Sequence, residues 1–186
     1  MVPGFAQMGT VPFFRPPLEM TAAGEVVRLA GRIDRIDTGL VAGRTAFNVL
    51  DYKTGGAVRL TAESIARGLT LQLPVYARAV SELALAGPDT VGWRAGYWHI
   101  GDDGFKPRQA LALHQVADGK LEPTPEWEAA RGGLARTIVG LVRGIRAGQF
   151  PVSSADPECT GTCPFKTVCR INHVRALEKT WEPPVA

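Results

Sequence analysis

Two segments rich in β-branched and apolar residues, Glu25 to Asp37 and Arg44 to Thr54, lie on either side of a short stretch containing Thr38-Gly39 and Ala42-Gly43. Such runs bounded by glycine-containing turns read as two β-strands joined in a hairpin. An antiparallel pair still needs a partner layer to bury one face, and the rest of the chain offers it. Thr54-Gly55-Gly56 closes the second strand, and Thr61 to Ala86 is made of good helix formers, interrupted at Gly68 and with Pro74 near a second helix start. One short and one longer helix follow from that spacing.

Val91 to Ile100 carries Trp93, Tyr97 and Trp98 among small residues, between Gly87-Pro88 and Gly101-Asp102-Asp103-Gly104, which is strand chemistry closed by a turn. A further strand is expected over Lys106 to His114. From Glu126 to Ala147, Leu134, Ile138, Leu141, Val142 and Ile145 recur three or four apart with arginines between them, the pattern of an amphipathic helix. Strands, helices, strands and a long helix in that order predict an α/β (mixed α+β) fold, a mixed sheet flanked by helices.

A chain of 186 residues fits one core of ordinary size. Residues 1–24, which include Pro3, Pro12, Pro16 and Pro17, are expected as an extended arm at the cut edge of a longer protein. Residues 25–150 form the expected core, and residues 151–186 a cysteine-containing segment and tail. No apolar run approaches the ~18 residues that span a bilayer, and Met1 to Thr10 lacks the features of a secretory signal, so no membrane partner and a cytoplasmic setting are expected. The net charge of +3 is too small to identify a polyanionic partner unaided.

The chemistry concentrates in the second strand. A period of two sends Asp51 and Lys53 to one face and Tyr52 to the other. Pairing with the first strand brings Asp34 beside Asp51, so two carboxylates and one ammonium share a point. Magnesium prefers oxygen ligands and is commonly held by one or two carboxylates plus substrate phosphate. A metal there activates water and stabilises charge on a scissile phosphate, with Lys53 orienting or deprotonating that water or offsetting phosphate charge. Gln72 and Tyr76, four apart, project from one helix face towards the strands. An isolated Asp-x-Lys triplet is usually a surface ion pair worth about 0 to 1 kcal/mol, so the weight rests on the ordered set.

The set Gly31-Arg32-Ile33-Asp34-Arg35-Ile36-Asp37, then Val49-Leu50-Asp51-Tyr52-Lys53-Thr54-Gly55, then Gln72-Leu73-Pro74-Val75-Tyr76, resembles the RecB-like branch of the PD-(D/E)XK nuclease superfamily. The resemblance runs from about Glu25 to Cys169. It implies a restriction-endonuclease-like core, DNA cleavage with Mg2+ or Mn2+, Asp34 and Asp51 as metal ligands together with the Tyr52 carbonyl, Lys53 as the catalytic lysine, and Gln72 with Tyr76 in support.

Cys159, Cys163 and Cys169 are crowded into one segment, which points to metal ligation rather than to a disulfide framework. Their run is similar to the cysteine group of AddB-type helicase-nuclease subunits, where four cysteines hold a [4Fe-4S] cluster. That resemblance implies a cluster and a helicase subunit or helicase domain as partner. The family's fourth cysteine and its histidine-bearing helix lie upstream of the nuclease motifs, where this sequence has neither. Zinc is the alternative, since His173 follows Cys169 by four and completes a Cys3His set.

The leading expectation is therefore a DNA exonuclease or endonuclease within a repair or recombination machine. No Gly-x-x-x-x-Gly-Lys-Thr phosphate loop occurs in the chain, so ATP hydrolysis would lie elsewhere. The alternatives are an inactive nucleic-acid-binding or scaffolding module, and a zinc-dependent interaction domain centred on the cysteines. Arg28, Arg32, Arg35 and Arg59 are candidates to line a phosphate path.

Overall fold

The computed structural model describes residues 4–11, 13–55, 60–100, 104–106, 109–150, 159–169 and 171. Its centre is a hairpin of strand β4 (Ile33–Val41) with β5 (Arg44–Lys53), antiparallel from Arg35 opposite Leu50 to Val41 opposite Arg44. The two-residue turn is Ala42-Gly43, with φ of 49° and 75°. Two left-handed residues match the twist of the flanking strands, and glycine at the second makes that turn cheap.

β5 then pairs in parallel with β6 (Val91–His99), and a parallel neighbour requires a crossover. Helices α1 (Ala62–Ala66) and α2 (Gln72–Glu82) supply it. Thr61 and Ser64 cap α1 reciprocally, each side chain bonding the other's backbone N–H. The long helix α3 (Pro125–Arg146) starts with Thr124 Oγ1 accepting from the Trp127 N–H and has proline in its first turn. Glu126 and Glu128 near its start and Arg143 and Arg146 near its end complement the helix dipole.

Phe47 and Val49 of β5, Ile36 of β4 and Ala95 of β6 form one wall of the main core, packed against Leu73, Ala77 and Val80 of α2 and Leu134 and Ile138 of α3. Phe5, Ala46 and Leu50 form a second, smaller cluster, with Trp93, Trp98 and Phe105 partly buried against it. The mixed α/β class expected from the element order is the class observed.

Several boundaries differ from expectation. The segment expected as an extended arm supplies β1 (Phe5–Val11), which pairs along β4 as the edge of the main sheet, and β2 (Leu18–Ala22). Glu25 to Asp37 is two strands, not one. β3 (Glu25–Leu29) forms a separate hairpin with β2, placing Leu18, Met20 and Val27 in the main core, and the chain breaks before β4. At that break the Phe14 N–H donates to the Gly31 carbonyl, and a Cβ on Gly31 would lie 3.1 Å from the Phe14 ring. Thr38-Gly39 is inside β4 rather than in a turn, because a bare glycine lets β1 approach: a Cβ on Gly39 would collide with the Gly4 carbonyl oxygen.

Among its described residues the stretch Lys106 to His114 is not the one strand expected: a two-residue strand precedes it, another lies inside it and a third begins at His114. β7 (Gly104–Phe105) and β8 (Leu111–Ala112) both pair with β6, and β9 (His114–Ala117) forms a hairpin with β10 (Lys120–Pro123). The cysteine segment begins with the single turn α4 (Cys159–Thr162). Arg59, His173 and the Pro183-Pro184 tail lie outside the described residues. No described helix is long and apolar enough to cross a membrane.

Candidate active site

The register Ile36 opposite Val49 and Arg35 opposite Leu50, continued by one step, sets Asp34 opposite Asp51. Opposed residues in an antiparallel pair share a face, here the helix-packed one that also carries Val49. The Tyr52 backbone N–H donates to Asp34 Oδ2 at 3.2 Å, tying the first acid to the peptide between Asp51 and Lys53. Asp51 is buried, at 2% exposure, and its Oδ2 forms an ion pair with the Lys53 ammonium.

Gln72, the first residue of α2, closes the group. Its Nε2 donates to Asp51 Oδ1 at 2.7 Å and to the Tyr76 hydroxyl at 3.3 Å, and its Oε1 accepts from Lys53 Nζ at 3.4 Å. A start of α2 at Gln72 is therefore what aims both Gln72 and Tyr76 at the strand ends. Asp34, Asp51, Lys53, Gln72 and Tyr76, expected together from their spacing and from the family resemblance, converge on one locality. Tyr52 presents its peptide there and its side chain to the opposite face.

Burial raises the pKa of Asp51 above the ordinary aspartate range; the Lys53 ammonium opposes this, and the Asp34 carboxylate adds to the rise. Lys53 is raised chiefly by its contact with Asp51, against the effect of its own burial. Two neighbouring carboxylates with one ammonium leave excess negative charge facing a hard-oxygen corner. Asp51 Oδ2 is buried and accepts no hydrogen bond beyond its ion pair. A divalent cation fits that donor set. Among the described residues no three His, Cys, Asp or Glu side chains form a metal-holding group, so a cation here would complete its shell with backbone carbonyl, water and phosphate.

One constituent was not anticipated. β6 sets Tyr97 beside Asp51 and His99 beside Lys53 in parallel register, and Lys53 Nζ lies 5.3 Å from the centroid of the Tyr97 ring. Burial raises the pKa of Tyr97, so the ring stays a neutral phenol. Strand alternation puts Tyr97 and Trp98 on opposite faces, but which face meets Lys53 depends on a non-local register.

The arginines divide differently from expectation. Arg35 is buried, and its Nε and Nη2 donate to Asp37 Oδ1 and Oδ2 at 2.7 and 2.9 Å, with its guanidinium 4.4 Å from the Trp98 ring. It braces the sheet's other face and is not available to phosphate. Arg28 pairs with Glu19 on the surface, and Arg32 is exposed. Cys159 and Cys163 are half-buried and Cys169 is exposed; none of the three is in a disulfide, and they form no metal-holding group among the described residues.

A sequence model of the PD-(D/E)XK nuclease superfamily matches residues 4–170. The chain belongs to this superfamily. Shorter stretches resemble curated proteins named as subunits of an ATP-dependent helicase/deoxyribonuclease. That of Moorella thermoacetica is 41% identical over 78 residues, 41% of this chain and 6% of the relative. That of Caldanaerobacter subterraneus subsp. tengcongensis is 40% identical over 73 residues, 39% of this chain and again 6% of the relative. In Clostridium botulinum strain Hall the identity is 42% over 71 residues, 37% of this chain. The matched stretch is thus about 6% of the length of these relatives. Membership in a PD-(D/E)XK superfamily implies a divalent metal, which agrees with the oxygen-rich corner between β4 and β5.

Proposed function

We propose that this PD-(D/E)XK domain hydrolyses phosphodiester bonds of DNA with Mg2+ or Mn2+, as the exonuclease part of a cytoplasmic helicase-nuclease acting in repair or recombination. The observation that carries the reading is the convergence of Asp34, Asp51 and Lys53 on the helix-packed face, with Gln72 bridging acid and amine. Asp34, Asp51 and the Tyr52 carbonyl would hold the cation. When bound, it supplies a polarised water and offsets charge on the scissile phosphate.

The chain's own groups do the rest. Lys53 carries a positive charge whose pKa is raised, so it is an ammonium at neutral pH and serves to orient the attacking water and to balance phosphate charge rather than to take a proton. Gln72 holds Asp51 Oδ1, which leaves the other oxygen directed at Lys53 and the open corner. Tyr76 anchors the Gln72 amide from one helical turn away. A helicase partner is proposed from the relatives' names. The finer reading of Cys159, Cys163 and Cys169 as ligands of a [4Fe-4S] cluster rests on their resemblance to the cysteine group of AddB-type subunits. Iron and labile sulfide found in an anaerobic preparation would support it, and one equivalent of zinc without iron would favour the Cys3His alternative.

End-labelled single-stranded and duplex DNA, incubated with the chain and Mg2+, tests the central proposal. Wild type is expected to cleave, and Asp51→Ala and Lys53→Ala to lose cleavage while remaining folded. Equal behaviour of all three would remove the catalytic assignment.

A further inference from the structure

Lys53 ends a flexible four-carbon stem, and its side chain is 36% exposed, so its position depends on the partners of its ammonium. Three are present: Asp51 Oδ2, Gln72 Oε1 at 3.4 Å, and the face of Tyr97 at 5.3 Å. Asp51 is the carboxylate that a bound cation would claim. Once that oxygen turns to a metal, Lys53 would lose the carboxylate in contact with it and retain one long hydrogen bond and one aromatic face, with Asp34 acting on it as a charge without a direct contact. The face is the firmer of the two, since no cation competes for it. Tyr97 is half-buried, packs against the main core, and is set beside Asp51 by parallel pairing with β5. Trp98 points to the opposite face, where it stacks on Arg35, while Tyr97 and His99 share the face of Lys53, and it is the Tyr97 ring whose centroid lies 5.3 Å from the ammonium.

We propose that Tyr97 is a positioning residue for Lys53: its ring face keeps the ammonium beside the Asp34–Asp51 corner when that corner holds a cation. The effect on turnover rests on the nuclease reading above; the contact itself does not. The hydroxyl has no part in it, so phenylalanine suffices and an aliphatic residue of similar size does not. A cation over an aromatic face is attracted by the ring quadrupole, which a leucine lacks.

Two measurements on the whole chain test this with Tyr97→Phe and Tyr97→Leu. Lysines are reductively methylated with 13C, which preserves charge, and the Lys53 resonance is assigned by its loss in Lys53→Arg. Its methyl signal is expected upfield from ring current in wild type and in Tyr97→Phe, with and without Mg2+, and unshifted in Tyr97→Leu. In single-turnover cleavage, Tyr97→Leu is expected to slow the chemical step roughly five- to tenfold at unchanged KM, the size of one partly desolvated cation–π contact, with Tyr97→Phe within about twofold of wild type. An unshifted Lys53 signal in wild type overturns the proposal, even if Tyr97→Leu fails to fold. So does equal turnover of Tyr97→Leu and Tyr97→Phe. If wild type and Lys53→Ala cleave alike, the nuclease reading fails, and the methyl shift still reports separately on the contact.

Discussion

Replacing Arg35 by alanine leaves the Asp37 carboxylate, at 0% exposure, with no guanidinium to meet its two oxygens. Removing one partner of a buried ion pair costs roughly 3 to 5 kcal/mol, because the remaining charge stays desolvated. In a domain of this size each kcal/mol lowers the melting temperature by about 2 to 4 °C, so Arg35→Ala is expected to melt roughly 6 to 20 °C below wild type. Thermal unfolding followed by circular dichroism reads this directly. The double replacement Arg35→Met with Asp37→Leu removes both charges and is expected to recover most of the loss, since apolar substitutes for a buried pair are often neutral. DNA affinity measured well below the lower melting point should keep its salt dependence, as no phosphate contact is removed. An unchanged melting temperature together with a shallower salt slope would show instead that Arg35 faces the nucleic acid, and would refute the reading of the sheet's second face.

Gln72→Leu removes the amide that joins Asp51, Lys53 and Tyr76. Cleavage is expected to fall roughly 10- to 100-fold, the range for a hydrogen bond to a charged group, with melting lowered by roughly 2 to 12 °C because the buried Asp51 Oδ1 loses its donor; a variant as active as wild type would detach Gln72 from the chemistry. Asp51 has a raised pKa, from burial and then from Asp34 in spite of Lys53, so metal binding should fade on acidification at a pH above the ordinary aspartate range. By linkage, protonating Asp51 favours the metal-free fold, whose stability from this group is gained as pH falls through the folded-state pKa and lost as pH rises through it. Mg2+ titrations across pH check the first statement and should lose this pH dependence in Asp51→Asn, where an unaltered profile would assign it elsewhere. Gly39→Ala places a Cβ against the Gly4 carbonyl oxygen and is expected to cost about 1 to 3 kcal/mol and to expose the Phe5 to Gln7 amides to hydrogen exchange. Full protection of those amides would contradict the pairing of β1 with β4.

Much of the site was legible because it depends on local periods. A period of two aligns Asp51 with Lys53, a helical step of four aligns Gln72 with Tyr76, and Ala42-Gly43 turns the hairpin. What escaped the sequence depends on non-local packing or on a turn signal passed over. Apolar and charged residues are interleaved on both sides of Gly31, so that glycine alone marks the break at which the chain leaves one sheet for another beside Phe14. Gly39 resembles a turn residue and instead admits β1. The hairpin β9–β10 does carry its own signal, Asp118-Gly119 with φ of 48° and 73°, a two-residue turn of the favoured kind. Arg35 and Asp37, two apart, were sure to share a face, yet that the face is buried follows only from what covers it. Tyr97 meets Lys53 through the β5–β6 register, which no single segment encodes.

The most direct measurement is a crystal structure of this chain grown with millimolar Mg2+. The ion is expected at about 2.1 Å from one oxygen each of Asp34 and Asp51, with Lys53 turned from Asp51 Oδ2 towards the Tyr97 ring. Magnesium bound elsewhere, or an intact Lys53–Asp51 ion pair with no ion between the two acids, would contradict it.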